Sequence, residues 1–188
     1  STLSKVRSLA AVQESLREES SSGSYIGGLI GSSSSGTVSD CYAAGSVDGN
    51  QNRYVGGLIG RSYYSSISRC YAAGSVLGSG QDVGGLIGAI SYGDYTGLFW
   101  DLQASGQASS DAGIGKTSLE LSQQTTFLND SWDFVSTWVM PESGAPDLQL
   151  DSPADLPAVN TLFSGGDGSI DNPYLVSTTT ELQNIPYA

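Results

Sequence analysis

Apolar positions in the first hundred residues follow a recurring phrase rather than a single short period. Ile26-Gly-Gly-Leu-Ile-Gly31 returns as Val55-Gly-Gly-Leu-Ile-Gly60 and again as Val83-Gly-Gly-Leu-Ile-Gly88, at offsets of 29 and 28 residues. A Ser/Tyr-rich stretch follows each hexapeptide, and then a second strand-like segment: Thr37 to Ala43, Ser66 to Ala72 and Tyr95 to Asp101. Short β segments and Gly-rich corners repeating at roughly 20 to 50 residues predict a solenoid. The period is too short for a propeller blade and carries no helical rhythm. The pattern predicts an all-β solenoid of 28–29-residue coils with short flanking helices.

In-register coils place equivalent residues about 4.8 Å apart, so the alignment makes definite columns. Ten residues beyond each hexapeptide stand Cys41, Cys70 and Leu98, followed by Tyr42, Tyr71 and Phe99 and preceded by Asp40, Arg69 and Gly97. Strand alternation puts the Cys/Leu column on one face with Ala43 and Ala72, and the aromatics with Asp40 and Arg69 on the other. Opposite charges at Asp40 and Arg69 fit neighbouring rungs, where like charges would repel. Leu98 in place of cysteine marks that column as apolar. Cys41 and Cys70 come within disulfide range on adjacent rungs, but their Cβ vectors run parallel, which favours stacked thiols over a bond.

Outside the repeats the pattern changes. Leu3, Val6, Leu9, Val12 or Ala10, and Leu16 fall near one helical face and predict a helix over 1–20, with 1–22 capping the first coil. A cap of this kind shields the open edge of a stack. Repeats fill 23–103, a closing segment and connector fill 104–160, and a tail runs over 161–188. Thr117-Ser-Leu-Glu120 is a capping box opening a short helix to about Gln124. Trp132, Phe134 and Trp138 supply an aromatic cluster expected to pack over the last coil, and Pro141 to Pro157 reads as a connector without period. Tyr174 to Ser177 reads as a strand before a second capping box at Thr178 to Glu181.

Composition narrows the chemistry. The 188 residues hold 19 Asp and Glu against 7 Lys and Arg, a net charge of −12, and no histidine. Scattered cations on an acidic chain argue against nucleic acid, which needs clustered Lys and Arg. Lack of histidine removes Ser-His-Asp, Cys-His and HExxH chemistry, and two cysteines alone cannot complete a zinc tetrahedron. No stretch of 18 or more apolar residues spans a membrane. The start STLSKVRS is not a signal peptide, so any such segment was removed or lay upstream.

Four candidate sites remain. Gly113-Ile-Gly-Lys-Thr117 suggests a phosphate loop, but Ser110 stands where the pattern needs glycine and the capping box explains the segment. Asp167 to Asn172 is acidic enough for calcium but lacks EF-hand spacing, and an Asx-stabilised turn accounts for it. Asp40, Asp48, Asp82, Asp94 and Asp101 fall in different columns, which gives no facing pair for glycan hydrolysis. Tyr63, Tyr64, Tyr92 and Tyr95 follow the hexapeptides, where stacking brings some onto one face. Aromatic platforms suit sugars; packing against other segments is the plainer alternative.

The phrase VGGLIG with CYAAGSV ten residues later resembles the GLUG repeat of bacterial and archaeal surface proteins. Such repeats occur in large adhesin-like proteins and in non-catalytic regions of IgA-specific metallopeptidases. GLFWDLQASGQ at Gly97 to Gln107, QQTTF at Gln123 to Phe127, WDF at Trp132 to Phe134 and GGDGSIDNPYLVSTTTEL at Gly165 to Leu182 are similar to companion segments of such arrays. The peptidase activity does not carry over to a chain without histidine. In the family the NPYLxSTxxEL phrase stands before the repeats, whereas here it stands after them.

The resemblance implies a non-catalytic, cofactor-free extracellular module of a surface adhesin or filament, self-associating or joined head to tail with neighbouring modules. Leu3, Val6, Leu9, Phe163, Tyr174, Leu175 and Leu182 are the expected joining residues. A glycan-binding adhesin using the tyrosine face is the second reading, and a β-helix carbohydrate enzyme the third.

Overall fold

Parallel pairing between successive repeats organises the chain. The structure is a computed structural model that describes residues 1–13 and 24–149, and one compact unit spans Ser1–Leu148. An N-terminal half-repeat gives β1 (Thr2–Ser8) and β2 (Val12–Gln13). The first full repeat gives β3 (Tyr25–Gly27), β4 (Ile30–Ser34), β5 (Thr37–Ala43) and β6 (Val47–Asp48). The second gives β7 (Tyr54–Gly56), β8 (Ile59–Ala72) and β9 (Val76–Leu77), and the third β10 (Asp82–Gly84) and β11 (Ile87–Asp101). After these come β12 (Ile114–Lys116), then β13 (Trp138–Val139) and β14 (Asp147–Leu148).

The fold is all-β. Three parallel sheets, β1-β5-β8-β11-β12 with β4 beside β8, β3-β7-β10 and β2-β6-β9, each take a strand from successive repeats. The register is the one the sequence columns demand. Cys41 pairs with Cys70 and Cys70 with Leu98; Tyr42 pairs with Tyr71 and Tyr71 with Phe99. Glycine is obligatory where rungs touch: a Cβ on Gly57 would sit 2.3 Å from the Gly85 carbonyl oxygen, and one on Gly74 would sit 2.0 Å from that of Gly45. These distances lie inside van der Waals contact, which explains why Gly28, Gly57 and Gly85 recur in all three repeats and why Gly45 recurs as Gly74.

The inner face holds Val38, Cys41, Ala43, Ile67, Cys70, Ala72, Leu98 and Trp100, packed with Leu58, Ile59, Leu86 and Ile87 from the corners. The outer face carries the Tyr42, Tyr71 and Phe99 ladder, and Tyr42 and Tyr71 stack at 4.8 Å and 7°. Trp132 and Trp138 cover this ladder together with Phe127, Leu121 and Leu148. The aromatic cluster therefore lies across all three repeats rather than over the last one. Trp138 approaches Tyr42 and Tyr71, and Trp132 approaches Tyr71 and Phe99.

Residues 1–13 correct the expected helix. β1 pairs with β5, Leu3 opposite Val38 and Val6 opposite Cys41, and β2 pairs with β6. The apolar spacing of three arises from a bulge. Lys5, Asp40, Arg69 and Gly97 form a column at φ 54°, 53°, 49° and 60°, and the pairing skips each of them. A left-handed bulge residue returns the next side chain to the same face, so Leu3 and Val6 both point inward. The spacing mimics a helix turn. Residues 14–22 of the expected cap lie outside the described residues.

The connector also carries structure. β13 and β14 pair antiparallel, and the Asp147 carboxylate accepts hydrogen bonds from Arg7 Nη1 at 2.7 Å and Tyr42 Oη at 2.7 Å. The capping box is present around the helix Ser118–Leu121: Thr117 Oγ1 accepts from Glu120 N at 3.1 Å, and the Glu120 carboxylate accepts from Thr117 N at 2.8 Å.

Candidate functional site

Tyr25 and Tyr54 begin β3 and β7 at equivalent positions, and parallel pairing sets their rings 5.1 Å apart at 26°. Across the Gly-Gly corner, β8 turns Arg61 and Tyr63 outward at alternate positions, with Ser62 buried between them. The Arg61 guanidinium lies over three rings, 5.8 Å from Tyr25, 5.3 Å from Tyr54 and 5.7 Å from Tyr63. Its Nη1 donates to the Tyr25 hydroxyl at 3.3 Å. Contacts of this kind are worth about 0.5–1 kcal/mol at exposed sites.

The strip continues through a second bulge column. Tyr64 and Tyr92 sit at φ 50° and 56°, where the first repeat has Ser35 at φ 51°. A bulky side chain rarely adopts this conformation, and it costs of order 1–3 kcal/mol. The two rings stack at 4.7 Å and 12°, with Tyr63 edge-on to Tyr64 at 4.5 Å and 88°. Exposure runs from 39% at Tyr63 to 68% at Tyr92.

Stacking was expected to bring some of the four candidate tyrosines onto one face, and Tyr63, Tyr64 and Tyr92 share one, on β8 and β11. Tyr95 stands apart, packed on the inner core and donating its hydroxyl hydrogen to Ser62 Oγ at 3.0 Å. Leu3 and Val6 are half-buried against the inner core, and of the N-terminal joining residues only Leu9 is exposed. Phe163, Tyr174, Leu175 and Leu182, and the acidic stretch from Asp167, lie outside the described residues. The sequence reading missed Tyr25, Tyr54 and Arg61. The recurrence of tyrosine before the hexapeptide at an offset of 29 was the available signal.

Other chemical groups are taken up structurally. Asp40 takes both guanidinium hydrogen bonds of Arg69 at 2.7 Å and one from Trp138 Nε1 at 3.3 Å. Burial works against this carboxylate, yet the Arg69 bonds and charge outweigh it and hold Asp40 below its ordinary value. Asp82 pairs with Arg53, Asp101 caps the helix Leu102–Ser105, and Asp48 accepts from the Asn50 amide. Both cysteines are free and buried, each donating to the carbonyl two residues before it, and burial pushes the Cys70 thiol well up. In the phosphate-loop candidate, Ile114–Lys116 is a rung on β11, and Lys116 pairs with Glu120.

The model of the GLUG motif matches residues 22–48 and 51–77. The third repeat lies outside these intervals yet keeps the same pairing through β10 and β11. A "Putative Gly-rich membrane protein" of Evansella cellulosilytica is 32% identical over 134 residues, covering 69% of this chain and 12% of the relative. The chain thus spans about an eighth of that protein's length. Among the described residues no helix is long and apolar enough to cross a membrane. No solved structure matches the chain.

Proposed function

We propose that this GLUG-repeat chain is a non-catalytic β-solenoid module, a stiff stacked element of a longer extracellular surface protein of adhesin or filament type. The observation that carries this reading is the unbroken register of the stack. Each repeat lays strands on the one before, and glycines seat rung on rung where no Cβ fits. The carboxylates at Asp40, Asp82 and Asp101 serve structural bonds and both thiols are buried, which supports a structural role for these groups. A relative many times longer supports a role as one segment of an array.

Head-to-tail joining is the finer part of the proposal. Stacked parallel strands end in edges that can template another strand, and the segment 161–188 follows the repeats. The test is sedimentation velocity and negative-stain microscopy of the full chain and of a chain lacking 161–188. We expect concentration-dependent elongated assemblies of the full chain, lost on deletion. Monodisperse full-length monomers at every concentration would overturn the joining role.

A further inference from the structure

We propose that the tyrosine–arginine strip binds an oligosaccharide bearing a single carboxylate among neutral sugars, such as a glycan containing one uronic or nonulosonic acid. The proposal deepens the glycan reading of the tyrosine face and stands independently of whether modules join head to tail. Arg61 carries it. Among the described residues Arg7, Arg53 and Arg69 each hold a carboxylate, whereas Arg61 holds none in a chain with 19 acidic residues. It is held instead over Tyr25, Tyr54 and Tyr63, with one hydrogen bond to a tyrosine hydroxyl. A guanidinium so placed keeps its planar fork for bidentate recognition, and its side-chain freedom is already spent.

The rings around it supply the rest of the ligand. In each stacked pair one face is taken by the partner, and Tyr25 and Tyr92 remain 41% and 68% exposed. Flat, half-wet aromatic surface suits the apolar faces of sugar rings, with the hydroxyl tips available for hydrogen bonds. Tyr64 and Tyr92 keep bulky rings in a left-handed conformation on two successive rungs, where the first repeat has serine. The charge of the molecule selects against dense polyanions. A net −12 repels nucleic acid and polyuronates, whereas a lone carboxylate meets one free cation locally.

Titration calorimetry of the full chain tests this with 3′-sialyllactose and a glucuronate–N-acetylglucosamine disaccharide, against lactose and the carboxyl-reduced disaccharide. We expect at least one acidic sugar to bind at least tenfold more tightly than its neutral counterpart. Arg61→Gln should remove that difference, and Tyr92→Ala should weaken the acidic sugar at least threefold. Arg61→Lys, which keeps the charge without the fork, should lie between wild type and Arg61→Gln and guards against misfolding. Binding of neither acidic sugar, equal binding of neutral counterparts, or full affinity in Arg61→Gln overturns the proposal. Self-association that depends on Arg61 without sugar binding also overturns it, in favour of a protein partner.

Discussion

Two tyrosine ladders rise on the same stack, and they have opposite fates. Tyr42 and Tyr71 lie under Trp132, Trp138 and Phe127, with their hydroxyl groups donating to Asp147 and to the Pro146 carbonyl. Tyr25, Tyr54, Tyr63, Tyr64 and Tyr92 stack just as closely, but nothing among the described residues covers them as Trp132 and Trp138 cover the first ladder. Stacking itself is therefore not the measure of a structural role. A stacked pair is worth about 0.5–1.5 kcal/mol beyond its burial, whereas a covered ring also gains the full transfer out of water.

The largest break in the comparison comes from the cover. Trp138→Ala removes a fully buried ring and should cost about 3–5 kcal/mol in urea unfolding, while Tyr92→Ala should stay within about 0.5 kcal/mol. Equal losses would mean that the exposed ladder is structural after all. Next in size is the charge behind each ladder. Arg69→Met leaves Asp40, 8% exposed, without its partner and should cost about 1–3 kcal/mol, whereas Arg61→Met strands no buried charge and should cost no more than about 1 kcal/mol.

The covered ladder should also set the pH limits of the fold. Asp40 and Asp147 are held below the ordinary value of 3.8; in both, burial opposes the shift and hydrogen bonds from Arg69, or from Tyr42 and Arg7, outweigh it. A depressed carboxyl stabilises the fold above that value, and the contribution is lost as pH falls through and below it. Tyr42 is pushed up to about 12, first by burial and then by its bond to Asp147. A raised phenol stabilises below its ordinary pKa of 10, and the contribution fades between pH 10 and 12. Thermal midpoints across pH 2–12 should fall at both ends, and Asp147→Asn should flatten the acid limb.

The smallest effect sharpens the contrast. Tyr64→Asn exchanges a strained ring for a residue that tolerates φ 50°, so relief and lost stacking should cancel to within about 1 kcal/mol. Tyr71→Asn, in the covered ladder, should be severely destabilising by the same denaturation assay.

The covered ladder was readable from the sequence because one offset aligned Cys41 with Cys70 and Tyr42 with Tyr71, and the third copy kept their chemistry in Leu98 and Phe99. The charge pair of Asp40 and Arg69 and the Thr117 capping box were equally visible, the first through the same offset and the second through local spacing. Three features were hidden. The bulge at Lys5 gave a strand the apolar spacing of a helix. Tyr54 and Arg61 stand seven residues apart on different sheets, and only the Gly-Gly corner folds them onto one face. Asp147 belongs to no repeat, so no periodicity could point to its partners.

That last aspartate has a consequence for how the molecule comes into being. Successive repeats pair through contacts about 29 residues apart, so their strands can assemble as the chain emerges. Arg7 and Tyr42 must wait for Asp147, 140 and 105 residues downstream, before the first strand gains its side-chain tie and the ladder is roofed. Until then Tyr42, Tyr71 and Phe99 present a naked aromatic wall. A chain arrested or cut before residue 132 would hold the repeats and lack their lid, a sticky half-product that synthesis or export must outrun or shield.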